Sequence, residues 1–200
     1  MTQIAILTFD GFNEIDSFVA LNILTRVRRD DWKAELASPS RIVTSANGVR
    51  IEAQKPLSFA SSADVVVVGS GKKTREVVAN ESWMDQLSLD PKRQLIASQC
   101  SGALVLARLG LLESPLVCAD RSTAQVLQAA GIQVPESPFH CEGNVASAGG
   151  CLASHYLAGW IIWRLCGKAA MHDALRYVVP VGEETVFIDR ATAVLAPYCG

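Results

Sequence analysis

The run Val65-Val66-Val67-Val68 restricts this chain more than any other feature. Four β-branched residues in a row leave no polar face, so a strand built from them must be covered on both sides. Residues 94–98 end in a second buried run, Leu95-Ile96-Ala97. Strands covered on both faces belong to sheets that lie between layers of helices. The first reading is therefore an α/β fold with a central, mostly parallel sheet. The chain can supply the core: it has 200 residues, half of them hydrophobic. That length predicts one domain, residues 1–200.

The remaining segments alternate as such a fold requires. Residues 4–9 form a strand-length apolar run closed by Asp10-Gly11. Ile15, Phe18, Val19, Leu21 and Leu24 follow at roughly helical spacing, with Arg26, Arg28 and Arg29 placed to favour the last turn. Residues 32–38 read as a strand, and Asn47-Gly48 within residues 41–53 signals a hairpin. A helix starts near Thr74, residues 102–109 form another with Gly110 at its end, and residues 116–119 read as a short strand. Residues 122–130 read as a helix stopped by Gly131, and Glu142-Gly143-Asn144 as a turn leading into a strand at 145–148. Helices follow at about 152–165 and 169–178, and the tail from Glu183 reads as β or loop.

Charge and cysteine usage narrow the function classes. With 18 basic and 20 acidic residues the net charge is −2, so there is no footprint for nucleic acid or an anionic membrane. No apolar run approaches the roughly 20 residues of a membrane span. The N-terminus has no basic segment followed by a cleavage site, which predicts a cytoplasmic protein. The six cysteines, Cys100, Cys118, Cys141, Cys151, Cys166 and Cys199, form no CxxC pair, so reduced thiols acting mostly as small buried hydrophobes are expected. Neither a cofactor nor a metal is called for.

In open α/β sheets ligands bind beyond the carboxyl ends of the strands. Three such ends carry unusual residues. Gln99-Cys100-Ser101-Gly102 lies between a strand and a helix, the layout of a nucleophile elbow. Gly102 and Ala103 supply the small residues that a close strand–helix approach needs. The helix N-terminus would favour thiolate at Cys100, and the Ser101 N–H would sit where an oxyanion forms. A buried core cysteine in a tight turn is the competing reading. Glu14 and Asp16 lie in the first turn of the first helix, where acids commonly complement the dipole; Asp16 could instead point at Cys100 and move a proton. Gly69-Ser70-Gly71 lacks phosphate-loop spacing, yet after a buried strand it could bring a backbone N–H to a substrate oxygen.

Taken together, AILTFDGFNEIDSFVALNIL, VVVVGSGKKTRE, SQCSGALVLARLGLL and EGNVASAGGCLASHYLAGWIIWRL resemble the ThiJ/PfpI superfamily, the DJ-one-like group related to class I glutamine amidotransferase domains. The resemblance runs from about Ile4 to Val179. It implies a flavodoxin-like three-layer sandwich with a nucleophile elbow. It also implies Cys100, Asp16 and Ser101 as catalytic residues, and the N–H groups of Gly71 and Ser101 as oxyanion donors. Ser70, Cys151, His155 and Asp120 are further pocket candidates. Protease-type relatives carry His directly after the cysteine or in an Ala-Thr-Thr-His run; here Ser101 and Ala119-Asp120-Arg121-Ser122 stand there, which argues against a peptidase.

An acid plus a cysteine followed by a small hydroxyl residue is closest to the isocyanide hydratase subgroup and to the amidotransferase-like sensor domain of some AraC-type regulators. The expected function is thus a cysteine-dependent hydratase or hydrolase of a small molecule. A glyoxalase- or deglycase-like enzyme and a non-catalytic cysteine redox sensor are the alternatives. Family members are usually homodimers, which predicts a homodimer here. His140, in a presumed turn, and His172 read as surface or supporting residues. His155 lies four positions after Cys151, so the two would share a helix face if both were helical.

Overall fold

The computed structural model describes residues 1–199. Its strands are β1 (Thr2–Leu7), β2 (Trp32–Ser38), β3 (Ile42–Thr44), β4 (Arg50–Glu52), β5 (Lys55–Pro56), β6 (Val65–Val68), β7 (Leu95–Gln99), β8 (Phe139–Glu142) and β9 (Val145–Ala148). Its helices are α1 (Glu14–Leu24), α2 (Thr74–Ala79), α3 (Glu81–Met84), α4 (Ala103–Arg108), α5 (Arg121–Ala129), α6 (Ser154–Cys166), α7 (Lys168–Arg176) and α8 (Glu184–Cys199).

The central sheet runs β5-β2-β1-β6-β7-β9-β8, parallel throughout except for the β8–β9 hairpin at one edge. β6 lies in the middle, and its four valines are at most 1% exposed. They divide between the two faces. Val65 and Val67 join Ile4 and Ile6 under α1, α6, α7 and α8. Val66 and Val68 join Ala5 and Leu7 under α3 and α4. Burial of each valine contributes about 1.5–3 kcal/mol, which an edge position would forfeit on one face. The result is a three-layer α/β sandwich.

The chain leaves β1 toward β2 on one side and toward β6 on the other. The carboxyl ends of β1 and β6 therefore flank a topological switch point, where such sheets form their crevices. The β3–β4 hairpin, turned at Asn47-Gly48, folds over this end. Backbone bonds from Gly11 N–H to Thr44 O (2.7 Å) and from Ala46 N–H to Phe12 O (2.7 Å) fasten it to the β1–α1 loop.

Four expectations need correction. The tail is not β or loop but the helix α8, which buries Ile188, Ala191 and Leu195 against α6, α7 and β8. Its Thr185-Val186-Phe187-Ile188 start resembles a strand, whereas the buried positions follow the helical period. Residues 116–119 form no strand and make only a single bridge, Leu116 to Gln133. β9 already pairs with β7 and β8, so neither side of β9 is free to take them. α1 stops at Leu24, so Arg26, Arg28 and Arg29 lie beyond its last turn. Finally, His140 sits within β8 rather than in a turn.

Candidate active site

Cys100 is the decisive residue of the crevice. It follows β7 directly and opens a short 3-10 turn, Cys100–Gly102, that runs into α4. Its φ of +49° makes it the one residue other than glycine in the left-handed region among those described. Holding an L-residue there costs about 1–2 kcal/mol. Strain of this kind persists only where the surroundings impose it. Gly102 shows what imposes it: a Cβ at that position would lie 2.5 Å from Val68 O and 2.8 Å from Gly69 O. The elbow is pressed against the end of β6, and the turn can follow only this path.

Asp16 comes to the same place from α1. It is fully buried, and its Oδ2 accepts a hydrogen bond from the Ser70 hydroxyl, while Oδ1 has no hydrogen-bonding partner. Cys151 arrives from the turn before α6. A carboxylate oxygen of Asp16 and the sulfurs of Cys100 and Cys151 all lie within 4.8 Å of one another. These three groups are also the ones here that could together ligate a metal. Two amides hold the sulfurs: Asn13 Nδ2 donates to Cys151 Sγ at 3.1 Å, and Gln99 Nε2 to Cys100 Sγ at 3.6 Å. Gln99 Nε2 also donates to Gly150 O at 2.7 Å, tying the elbow to the Cys151 turn.

The electrostatics differ from the sequence expectation. Burial first, and then the negative charge of Asp16, push the Cys100 thiol well above the usual thiol range. Burial likewise raises Asp16, although the Ser70 hydroxyl and the neighbouring Cys151 and Cys100 thiols oppose it. Cys151 is raised by burial and by Asp16. The thiolate expected from the helix end is thus disfavoured, and Cys100 and Asp16 each hold a proton more tightly than the free side chain does. A helix end that contributes partial charge is outweighed by desolvation and a neighbouring carboxylate.

A cleft of about 630 Å³ opens over Cys100 and Cys151. Ser70, Gly71, Ser101, Thr74, Arg75 and Asp120 are among its lining residues, and no histidine is among those described there. Ser101 Oγ lies 2.8 Å from Thr74 Oγ1. The Gly71 N–H donates to Thr74 Oγ1 at 3.0 Å and approaches Ser101 Oγ at 3.4 Å. That amide is therefore engaged and does not stand free as an oxyanion donor, contrary to expectation. Asp120 lines the cleft, but its carboxylate caps α5 through the N–H and hydroxyl groups of Ser122 and Thr123. Burial raises its pKa, yet these donors outweigh that and lower it.

His155 does not reach the cleft. Cys151 lies in a 3-10 turn ahead of α6, so the assumed helical spacing between the two fails. The His155 ring instead packs on Tyr156 and Phe187, with Nδ1 2.6 Å from Leu152 O. It borders a separate hollow with Arg190. His172 bonds Thr192 on α8 through Nε2 at 2.9 Å. Asn13 and Gln99 were missed by sequence reasoning. Asn13 is recognisable as the N-cap of α1, where its Oδ1 accepts from Ile15 N–H, but its bond across 138 residues to Cys151 has no local signal.

The DJ-1/PfpI family profile matches residues 2–162. The chain belongs to the DJ-1/PfpI family. No curated protein sequence gives a match. Among solved structures, Schizosaccharomyces pombe DJ-1 superposes with a TM-score of 0.76 at 15% identity, covering 90% of this chain and 100% of that one. A DJ-1 superfamily protein from Salmonella typhimurium, solved as a C103A mutant, gives 0.75 at 24% identity, covering 89% and 98%. A ThiJ/PfpI family protein from Pseudomonas syringae gives 0.75 at 19%, covering 98% and 88%. These likenesses establish the flavodoxin-like fold of the family. No helix among the described residues is long and apolar enough to cross a membrane.

Proposed function

We propose that this DJ-1/PfpI family member is a cysteine-dependent hydratase of small molecules, with an isocyanide as its substrate class. The observation that carries the reading is the Cys100 elbow: buried Asp16 lies beside the sulfur, Ser101 is next in sequence, and no imidazole is among the described residues that line the cleft. A volume of about 630 Å³ suits a small organic ligand. Burial makes each of the two groups hold its proton more tightly than the free side chain does, which suits them to deliver protons to a substrate.

Addition begins with the Cys100 sulfur bonding to the terminal carbon of R–N≡C, while that carbon takes a proton from the Cys100–Asp16 pair. The product is a thioimidate, R–N=CH–S, on the enzyme. Water then adds to the same carbon, with Asp16 giving a proton to nitrogen and taking one back from the water, so that the adduct is R–NH–CH(OH)–S and its hydroxyl proton is left for the sulfur. The C–S bond breaks, the electron pair returns to sulfur, and R–NH–CHO leaves with the cysteine reprotonated. One water is consumed, with no oxidant and no metal in the cycle. The Ser101 N–H is the candidate donor to the oxygen of the intermediate.

The test is formamide release from an aryl isocyanide. Wild type should turn over; Cys100→Ala should abolish activity and Asp16→Asn should lower kcat. Full activity in Cys100→Ala would sink the assignment. Lactate from methylglyoxal, with no isocyanide turnover, would install the glyoxalase reading in its place.

A further inference from the structure

Glu14, Lys72, Arg75 and Asp120 are the charged side chains among the described residues that line the cleft. Three of them are engaged by this chain. Glu14 accepts from the Ser45 hydroxyl through Oε1 and from Asn47 Nδ2 through Oε2. Asp120 takes up the donors of Ser122 and Thr123 at the start of α5. Lys72 Nζ donates to Ala46 O at 2.8 Å. Arg75 is exposed and makes no hydrogen bond or ion pair among the described residues. The unengaged charge in the cleft is therefore a guanidinium.

Its place relative to the elbow is fixed. Arg75 lies in the first turn of α2, directly after Thr74. Thr74 Oγ1 is 2.8 Å from the Oγ of Ser101, the residue next to the nucleophile. A guanidinium is a planar fork of donors that matches the two oxygens of a carboxylate. The rest of the lining agrees with a charged ligand: Leu104 is the one large apolar side chain among the described residues there. A hydrocarbon ligand would strip water from the polar groups and give them no partner in return. Asp16 sets the direction. An anion laid beside that buried carboxyl group would be disfavoured, so the charge belongs at the Arg75 end, away from the Cys100 sulfur.

We propose that the cleft selects small molecules that carry a carboxylate, with Arg75 binding the carboxylate and the reacting carbon directed at Cys100. The identity of the reacting group rests on the hydratase reading; the added statement is that the R group of the isocyanide bears an anion. Arg75 touches no reacting atom and acts as a specificity-determining residue.

The probes are para-substituted formanilides, the product class of that reaction: para-formamidobenzoate, its methyl ester as the neutral analogue, and para-formamidobenzylamine as the cation. Calorimetry on the full-length protein reads their binding without turnover. The carboxylate should bind about tenfold more tightly than the ester, the scale of a charged hydrogen-bonded pair tempered by solvent at an exposed site. It should also slow alkylation of Cys100 by iodoacetamide, which places it in the cleft. Arg75→Gln should bring the carboxylate down to the affinity of the ester. Lys92→Gln removes the same charge ahead of β7, at the opposite end of the sheet, and should leave the preference intact. The proposal is overturned if no probe binds wild type, if the ester or the amine binds as tightly as the carboxylate, or if the preference survives in Arg75→Gln or is lost equally in Lys92→Gln. Isocyanide turnover with no carboxylate preference removes this proposal and keeps the hydratase reading. A carboxylate preference without isocyanide turnover removes the hydratase reading and keeps the anion-selective cleft.

Discussion

Replacing Gly102 by alanine tests whether the elbow is set by backbone contact. The new Cβ would lie 2.5 Å from Val68 O, about 0.9 Å short of the 3.4 Å at which ordinary contact begins, and 2.8 Å from Gly69 O. Both obstacles are main-chain atoms, so no side chain can swing aside. Val68 is also paired with Ser98 in the parallel β6–β7 ladder, which resists a local shift. Overpacking of this kind costs about 1–3 kcal/mol. Alanine recovers up to ~1 kcal/mol of helical propensity, and less in a 3-10 turn. The expected net loss is about 1–2 kcal/mol, or roughly a 2–8 °C fall in Tm for a chain of this size.

Thermal unfolding measures the first effect, and the alkylation rate of Cys100 the second, since the elbow must move for the methyl to fit. Gly110→Ala is the matched control. Gly110 has φ +67° with nothing within 4 Å of a new Cβ, so it should lose about 1–2 kcal/mol through backbone strain without touching Cys100. If Gly102→Ala melts within 1 °C of wild type with unchanged Cys100 alkylation, the contact does not impose the turn.

Two further outcomes concern the buried pair. Because burial and Asp16 raise the Cys100 thiol, its alkylation by iodoacetamide at pH 7 should be slower than that of half-buried Cys166 and should keep rising into the alkaline range. Asp16→Asn should speed it at fixed pH, and a Cys100 that is the fastest of the six thiols in wild type contradicts this. Asp16 has its folded-state pKa raised above 3.8, so the folded state binds its proton more tightly than the unfolded chain does. Its contribution is fully present below the unfolded value and is lost as pH rises through the folded one. Urea unfolding should therefore show Asp16→Asn gaining stability relative to wild type as pH increases across that window, and a difference that is flat with pH refutes the assignment.

How much was legible follows from the range over which each feature is encoded. The valine run carries its own message, since no other setting accepts four β-branched residues with both faces dry. Cys100 was legible because strand, cysteine, small residue and glycine are contiguous. The partners of the site were not. Ser70 meets Asp16 across 54 residues, and Asn13 meets Cys151 across 138. No local periodicity reports such pairs. His155 was misplaced because a 3-10 turn interrupts the helix at the one point where four-residue spacing was assumed. The free Gly71 amide was expected because glycine marks an exposed backbone, whereas the hydroxyls of Thr74 and Ser101 occupy it.

The protonation state decides between the catalytic and redox readings of the same cysteine. A sensor thiol reacts with peroxide as thiolate, so it needs a low pKa and access to solvent. Cys100 is 3% exposed and lies beside a carboxyl group that opposes its ionisation. Both features slow oxidation. Hydration of an isocyanide asks for the opposite: the carbon must gain a proton as the sulfur bonds to it, and a neutral thiol beside a raised carboxyl carries that proton into a dry site. On the proposed hydratase reading, the raised Cys100 thiol is thus a source of the proton that the substrate carbon takes up rather than a standing thiolate.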